Sequence, residues 1–288
     1  MIPFRRYIPE KKNLFIFGSY PDVFEIEDTY LIVGSNRLIH QIQISEVENV
    51  FSIYTFPVWL KHLLKINQIN IFYIDQTGEI KNYTLSRKFG EVRNPEDQNL
   101  AFKLLSKKAS TIDRLFKTDE ATNLFHFSLK HGSPLQIINQ DIDYIPKAHL
   151  MDAIKLNYKI TNVRAREITQ TIMNLIDNVV PLSFYSKFIN YGLNPDNGFL
   201  NNRFPSLTRD LTEIQRISFK KKIIHLFNSH FFESKDLSRK HFPLTTIKVL
   251  KQLSSYFFYG NRFKRMKDIY YYMEAYKRGK LHEIFGCL

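Results

Sequence analysis

The stretch Leu38-Ile-His-Gln-Ile-Gln-Ile-Ser-Glu-Val-Glu-Asn-Val50 decides how the first third of the chain is assigned. Over residues 41–44 polar and apolar side chains alternate, as they do in a strand with one buried face. A second strand candidate, residues 47–54, follows almost at once. The pattern therefore predicts a succession of short strands and not helices in this part of the chain.

Further elements are predicted on both sides of this stretch. Residues 69–85 are the clearest hairpin, with Asp75-Gln76-Thr77-Gly78 as its turn. Gly78 suits the position of positive φ that such a turn requires. A helix is predicted to begin at Asn94-Pro95 and to end near Lys108, because proline is well tolerated in the first helical turn.

Six or seven antiparallel strands closed by one C-terminal helix resemble the PH-like barrel of the pleckstrin-homology and GRAM families. The resemblance covers residues ~13–108 and is carried by the stretch 38–50, the Thr77-Gly78 hairpin and the helix from Pro95. It implies a closed antiparallel barrel. The loop of residues 18–22 has no basic side chain, so the resemblance does not extend to the family's phosphoinositide site.

The rest of the chain is predicted to be mainly helical. Residues 124–130 are a further strand candidate. From Val163 apolar residues recur at spacings of three or four, with a break predicted at Pro181, and further helices are predicted near residues 207–227, 244–259 and 262–276. The expected fold class is α+β. A PH-like barrel domain at residues 1–108 precedes a mixed, then mainly helical domain at residues 109–288.

The charge of the chain is concentrated near its end. The whole sequence has 41 Lys or Arg, 28 Asp or Glu and a formal net charge of +13. Residues 203–288 hold 18 of the basic and 7 of the acidic residues, a net charge of +11. Such an asymmetry favours nucleic acid, an anionic membrane surface or an acidic protein as partner.

Basic side chains interleave with aromatic ones on the predicted C-terminal helices. This combination suits single-stranded nucleic acid, because cations neutralise phosphates and aromatic rings stack on bases. The alternative is that the apolar stripe is helix-bundle core and the charges are a solvated face. The candidate contact residues are Lys220, Lys221, Lys222, Arg262, Lys264, Arg265, Lys267, Lys277 and Arg278.

A second candidate contact segment surrounds the single tryptophan. Trp59, Leu60, Leu63 and Leu64 lie in a short amphipathic stretch that suits a membrane interface or a partner groove. The alternative is a connecting helix that packs onto the barrel.

No residue pattern predicts a catalytic or metal site. The phosphate-binding motif G-x-x-x-x-G-K-[ST], the dinucleotide motif G-x-G-x-x-G and the zinc motif H-E-x-x-H are absent. Asp75, Glu79 and Lys81 match the spacing of a metal-dependent nuclease, but polar residues also belong in a tight turn. His225 and His230 are five apart, which points them about 140° away from each other on a helix. We therefore predict no cofactor and no metal.

These observations favour a non-enzymatic intracellular adaptor or structural subunit that docks an acidic protein through its basic helical face. The alternative is a nucleic-acid-binding protein that uses the same face, and a third hypothesis is peripheral membrane association. A cytoplasmic location is expected, because the sequence has no membrane-spanning apolar run, no secretory signal and only one cysteine, Cys287.

Overall fold

The computed structural model describes residues 12–16, 23–35, 38–86, 98–238, 242–258 and 262–286. They fall into two compact units, one within residues 1–75 and 80–88 and the other within residues 76–79 and 89–288. None of the helices in these described ranges combines the length and apolarity needed to cross a membrane.

The first unit contains two sheets. A four-stranded sheet has the order β1-β5-β6-β7, and a three-stranded antiparallel sheet has the order β2-β3-β4. The strands are β1 Lys12–Ile16, β2 Val23–Glu27, β3 Tyr30–Ser35, β4 Leu38–Gln43, β5 Val47–Ser52, β6 Asn70–Ile74 and β7 Ile80–Thr84.

Strand β5 is the centre of the first unit. All six of its residues are buried, and it pairs in parallel with both β1 and β6. Parallel neighbours need a crossover connection, and helix α1 (Val58–Ile66) supplies it between β5 and β6. Leu60 and Leu64 on α1 are buried in the same apolar cluster as Val50 and Ile71.

The predicted antiparallel PH-like barrel is wrong. A 3-10 turn at Ile44–Glu46 separates β4 from β5, and the two strands belong to different sheets. Because β5 has parallel neighbours on both sides while β6 and β7 are antiparallel, this sheet is mixed and cannot be part of a closed antiparallel barrel. The hairpin prediction is confirmed, since β6 and β7 are antiparallel and Gly78 has φ +79°.

The helix that was predicted to close the barrel does not belong to the first unit. Helix α2, Gln98–Phe116, belongs to the second unit and packs there against other helices. It continues well beyond Lys108, and Asn94 and Pro95, where the sequence predicted its start, lie outside the described residues.

The second unit is helical. Its helices are α2 Gln98–Phe116, α3 Glu120–Lys130, α4 Leu135–Asn157, α5 Asn162–Asn190, α6 Ser206–Leu211, α7 Glu213–Asn228, α8 Phe242–Phe258, α9 Arg262–Lys277 and α10 Leu281–Gly286. Helix α5 is the longest at 29 residues and contacts α4, α6, α7 and α8. Nearly all of its last turns are buried, which makes it the central helix of this unit.

Helix α5 continues through Pro181, where the sequence predicted a break. Proline has no N–H, so the carbonyl of Asp177 one turn earlier has no donor within the helix. The guanidinium of Arg209 donates to that carbonyl instead, and its Nη2 also donates to Asn178 Oδ1 at 2.7 Å. A side chain from α6 therefore satisfies the backbone group that the proline leaves without a partner.

Candidate functional site

The three consecutive lysines of helix α7 point to different environments. Successive residues of a helix are rotated by about 100°, so one of the three faces the core. Lys220 is only 2% exposed. Lys221 and Lys222 are partly exposed residues, and their ammonium groups lie over the rings of Phe116 and Tyr256, at 4.8 and 5.4 Å from the centroids.

Lys220 belongs to a set of six charged side chains in the second unit, which we call the buried charge cluster; four are buried, and Asp143 and Asp177 are 31% and 30% exposed. Helices α2, α4, α5 and α7 contribute to it, with three acidic and three basic residues. The members are Lys108, Asp143, Asp177, Glu213, Arg216 and Lys220.

Close ion pairs connect the members of this cluster. Lys220 Nζ lies 2.9 Å from Asp177 Oδ1 and 3.4 Å from Asp143 Oδ1. Arg216 Nη1 lies 2.7 Å from Asp177 Oδ1, and Arg216 Nη2 contacts Glu213. Each carboxylate thus faces at least two cations, as burial of charge requires.

Lys108 is the most enclosed member. Its side chain is 0% exposed, and its ammonium lies 3.0 Å from Asp143 Oδ2 and 2.9 Å from Glu213 Oε1. It also donates a 2.5 Å hydrogen bond to Asn139 Oδ1 and contacts the Asn139 carbonyl oxygen at 3.4 Å. Four oxygen atoms from three residues therefore surround one nitrogen.

The electrostatics of the cluster keep its aspartates ionised. Burial by itself raises the pKa of Asp143, but Lys108, Lys220 and Arg216 outweigh it and hold that pKa below the usual range. The pKa of Asp177 is likewise lowered, since Lys220 and Arg216 overcome the effect of burial. Burial alone lowers the pKa of Lys220, and the two aspartates reverse this and raise it.

The cluster does not fit a metal ion. Across the described ranges there is no group of three or more His, Cys, Asp or Glu side chains arranged to hold one. Carboxylates are suitable ligands for a hard divalent cation. Here, however, ammonium and guanidinium groups already contact the carboxylate oxygens that such an ion would need.

A second buried carboxylate organises the loop before helix α6. Asp210 accepts hydrogen bonds from the backbone N–H groups of Phe199 at 2.7 Å, Leu200 at 2.9 Å and Asn201 at 3.0 Å. Burial raises the pKa of Asp210 to about 6 against the opposing effect of these donors. The preceding residue, Arg209, accepts a hydrogen bond on its carbonyl from the cluster member Arg216 at 3.2 Å, so this loop lies beside the buried charge cluster.

The basic residues of helix α9 lie in a different setting. Lys267 is exposed, and Lys277 Nζ donates to the Tyr191 carbonyl at 3.1 Å. Arg278, just after the helix, pairs with Glu274 at 2.5 Å. The side chains of three other predicted contacts lie outside the described residues, namely Arg262, Lys264 and Arg265.

The tryptophan segment forms helix α1 of the first unit. Leu60 and Leu64 are 1% and 0% exposed, and Leu63 is partly buried. Trp59 is 52% exposed and its neighbour Val58 is 81% exposed. The helix therefore packs through its leucines, as the connecting-helix alternative expected, and leaves its first turn accessible. Contact of Trp59 with an anionic membrane surface stays a prediction.

Sequence reasoning missed most of the buried charge cluster. Lys108, Asp143, Asp177, Glu213 and Arg216 come from helices that are far apart along the chain, and no local spacing connects them. The available indication was weak: Lys108 occupies an otherwise apolar helix face with Leu104 and Leu105. In contrast, His225 and His230 are exposed and Asp75 pairs with Lys81 at 3.0 Å, so these residues do not enter the cluster.

Comparisons with known proteins give a fold and no family membership. No family model matches the chain, and no curated protein matches it. Among solved structures, a CAS1 protein from Thermotoga maritima is similar with a TM-score of 0.66 at 13% identity, covering 96% of this chain and 97% of that one. A casposase bound to its integration product has a TM-score of 0.59 at 15% identity, covering 85% and 82%. A Cas6-RT-Cas1–Cas2 complex has a TM-score of 0.66 at 13% identity, covering 95% of this chain and 35% of that one.

These similarities correct the predicted function as well as the predicted fold. A non-enzymatic adaptor or structural subunit was expected, and that prediction is wrong, because the architecture is one seen in a casposase with its integration product. The mixed sheet, the small antiparallel sheet and the helical second unit together replace the PH-like barrel. The chain has the fold of a Cas1 protein.

Proposed function

We propose that this protein binds DNA and acts on it in an integration reaction. The observation that carries the proposal is the fold, which is similar to that of a Cas1 protein over 96% of this chain. The casposase with the same architecture was solved with its integration product, which supplies the reaction class. Since one fold can host several activities, the surface charge must support the same function.

The surface charge supports DNA as the substrate. Lysine and arginine side chains that reach solvent neutralise phosphates, and this contributes much of the affinity for DNA. We assign Lys221, Lys222, Lys267, Lys277 and Arg278 to phosphate contacts. Arg262, Lys264 and Arg265 stay predicted contacts in the same role. Lys220 is excluded, because its ammonium is buried against Asp143 and Asp177.

Protein partners belong to the same proposal. One similar structure is a complex that includes Cas1 and Cas2, so we expect this chain to work within an assembly. An acidic protein partner and a cytoplasmic location stay predictions from the sequence. No step of the reaction is assigned to a metal in the buried charge cluster, because the cluster's carboxylates are already paired with protein cations.

An integration assay tests the reaction. A fluorescent DNA duplex is incubated with a supercoiled plasmid and the full chain, with Mg²⁺ or Mn²⁺ and with or without a candidate partner protein. We expect the label to join the plasmid in at least one of these mixtures. Tight binding of DNA without any joined product would contradict the integration reaction and leave only the binding part.

Fluorescence anisotropy tests the binding surface separately. We expect Lys221→Gln/Lys222→Gln to weaken binding to a DNA duplex, and the affinity of the native chain to fall steeply with salt. Lys65→Gln/Lys81→Gln removes the same charge from the first unit and serves as the matched control. No binding by the native chain at ~50 mM salt would contradict the whole proposal, since electrostatic attraction is strongest there.

A further inference from the structure

The side chain of Lys108 ends in a cage of oxygen atoms. Its ammonium has Asn139 Oδ1 at 2.5 Å, Glu213 Oε1 at 2.9 Å and Asp143 Oδ2 at 3.0 Å, with the Asn139 carbonyl oxygen at 3.4 Å. We call these four atoms the oxygen cage. No part of the Lys108 side chain is exposed, so water does not replace any of these contacts.

The oxygen cage has the composition of a binding site for a hard cation. Carboxylates, an amide oxygen and a backbone carbonyl are the donors that Ca²⁺ and Mg²⁺ take from proteins. The set converges on one point from helices α4 and α7, and Lys108 reaches that point from α2. A single positive charge on a tethered side chain thus occupies the position that a free cation would take.

Charge balance explains why the cage keeps its lysine. The buried charge cluster holds three carboxylates and three cations, so it is neutral when all members are ionised. A divalent ion would add two charges beside Lys108, Lys220 and Arg216, in surroundings that screen repulsion poorly. The lysine would have to leave the cage, and its neighbours Leu104, Leu105 and Ile112 are fully buried.

We infer that Lys108 is a built-in cation. Its ammonium fills an oxygen cage that would otherwise take a divalent ion, and the folded helical unit is therefore independent of divalent metal. This inference does not rest on the proposed function, because it concerns ion binding and folding and needs no DNA.

Binding of Mn²⁺ to the full chain is the direct test. Free Mn²⁺ is measured by electron paramagnetic resonance, and thermal unfolding is followed in EDTA and in Mn²⁺ or Mg²⁺. The native chain is expected to bind no Mn²⁺ at this position and to melt at the same temperature in EDTA and in metal. Lys108→Ala is expected to bind one additional Mn²⁺ per chain and to melt several degrees higher in metal than in EDTA, because a ligand that binds the folded state stabilises it.

A matched variant controls for the general loss of a lysine. Lys248 Nζ pairs with the buried carboxylate of Asp236 at 2.5 Å, and among the described residues this is the one carboxylate that contacts it. Lys248→Ala therefore removes a cation from a buried carboxylate without emptying an oxygen cage. It is expected to gain no Mn²⁺ site and no metal-dependent melting temperature.

Two results would overturn the inference. One is that the native chain binds Mn²⁺ and that Glu213→Gln abolishes this binding, or that the melting temperature of the native chain falls in EDTA. The other is failure of Lys108 variants to gain a site. Where Lys108→Ala does not fold in EDTA, recovery of its circular dichroism in Mn²⁺ supports the inference. Lys108→Gln, which retains hydrogen-bond donors, is measured in parallel, and absence of gained binding in both variants, folded or unfolded, rejects the cage.

Discussion

Lys220, Lys221 and Lys222 are chemically identical residues with different physical roles. The helical rotation of about 100° per residue turns Lys220 toward Asp143 and Asp177, while the next two ammonium groups lie over aromatic rings at the surface. A run of basic residues is therefore no uniform contact surface. Substitution of each lysine distinguishes these roles, because Lys220 loses ion pairs with aspartates whereas Lys221 and Lys222 lose contacts with aromatic rings.

Lys220→Met should destabilise the protein by about 3 kcal/mol, since removal of one partner leaves a buried opposite charge without full compensation. Asp177 is 30% exposed, so water compensates part of this loss and the value lies at the low end of the usual range. Lys221→Met loses only a surface cation–π contact and should cost less than about 1 kcal/mol. Urea unfolding of both variants measures the difference, and equal losses would contradict the buried role of Lys220.

The aspartates of the cluster make stability depend on acid. Their pKa values are lowered in the folded protein, so they favour folding above the unfolded value of about 4. That contribution is lost as the pH falls below about 4, toward the folded pKa values. Urea midpoints between pH 5 and pH 2 should therefore fall steeply for the native chain and less steeply for Asp177→Asn. The same slope for both proteins would show that Asp177 is not held ionised by its neighbours.

The sequence could indicate the charged surface of this site but not its interior. Lys221 and Lys222 stand out because consecutive charges are visible along the chain. Lys108 and Asp143 acquire their meaning only when α2 and α4 pack together, and nothing in their local spacing predicts that they meet Glu213. The sequence indicates only that a lysine lies on an otherwise apolar face of α2, and this does not identify the residues that pair with it.

Strand β5 shows that the sequence predicts secondary structure here but not how the strands pair. The alternation and apolarity of residues 38–50 correctly predict strands, because these depend on nearest neighbours. The direction of pairing depends on α1, which returns the chain to lay β6 parallel to β5. For residues 124–130 the strand prediction is wrong, because this short alternating stretch lies in helix α3. Long periodic helices such as α5 are easier to predict from the sequence. Pro181 nevertheless predicts an end at a position where the helix continues and Arg209 supplies the missing donor.

A double-mutant cycle between α5 and α6 tests how Pro181 is tolerated. Arg209→Met leaves the Asp177 carbonyl without its donor and should cost about 2–3 kcal/mol, since hydrogen bonds from charged groups are also lost. Pro181→Ala restores a backbone N–H to that carbonyl. Arg209→Met should therefore cost about 1 kcal/mol less in the Pro181→Ala background, a size typical of residues that share a partner.

Urea unfolding of the four proteins gives the coupling energy of this cycle. The contact of Arg209 with Asn178 is present in both backgrounds, so it cancels from the difference. Additive effects would mean that the Asp177 carbonyl does not depend on Arg209. In that case the continuity of α5 would have to come from its burial alone.

The net charge of +11 in residues 203–288 survives the burial of part of these residues. Arg209, Arg216 and Lys220 are buried, and so are the acidic residues Asp210, Glu213 and Asp236. Because the described buried residues of this segment cancel in charge, the excess belongs to the remaining side chains. The buried charges of this segment thus sum to zero, and the net positive charge that would attract DNA belongs to its other side chains.

The salt dependence of DNA binding reports whether the end of helix α9 contacts phosphates. Lys277 ends helix α9 and Arg278 follows it, both on exposed positions, where removal of their charge leaves the buried charge cluster untouched. Each phosphate contact contributes about 0.9 to the slope of log affinity against log salt on duplex DNA. Lys277→Gln/Arg278→Gln should therefore lower the magnitude of that slope by up to about 1.8, with anisotropy measured from about 50 to 200 mM salt. Lys65→Gln/Lys81→Gln should leave it unchanged. An equal reduction in both double variants would mean that DNA responds to the total charge of the chain, whereas an unchanged slope in the first would exclude the end of α9 from the DNA contact.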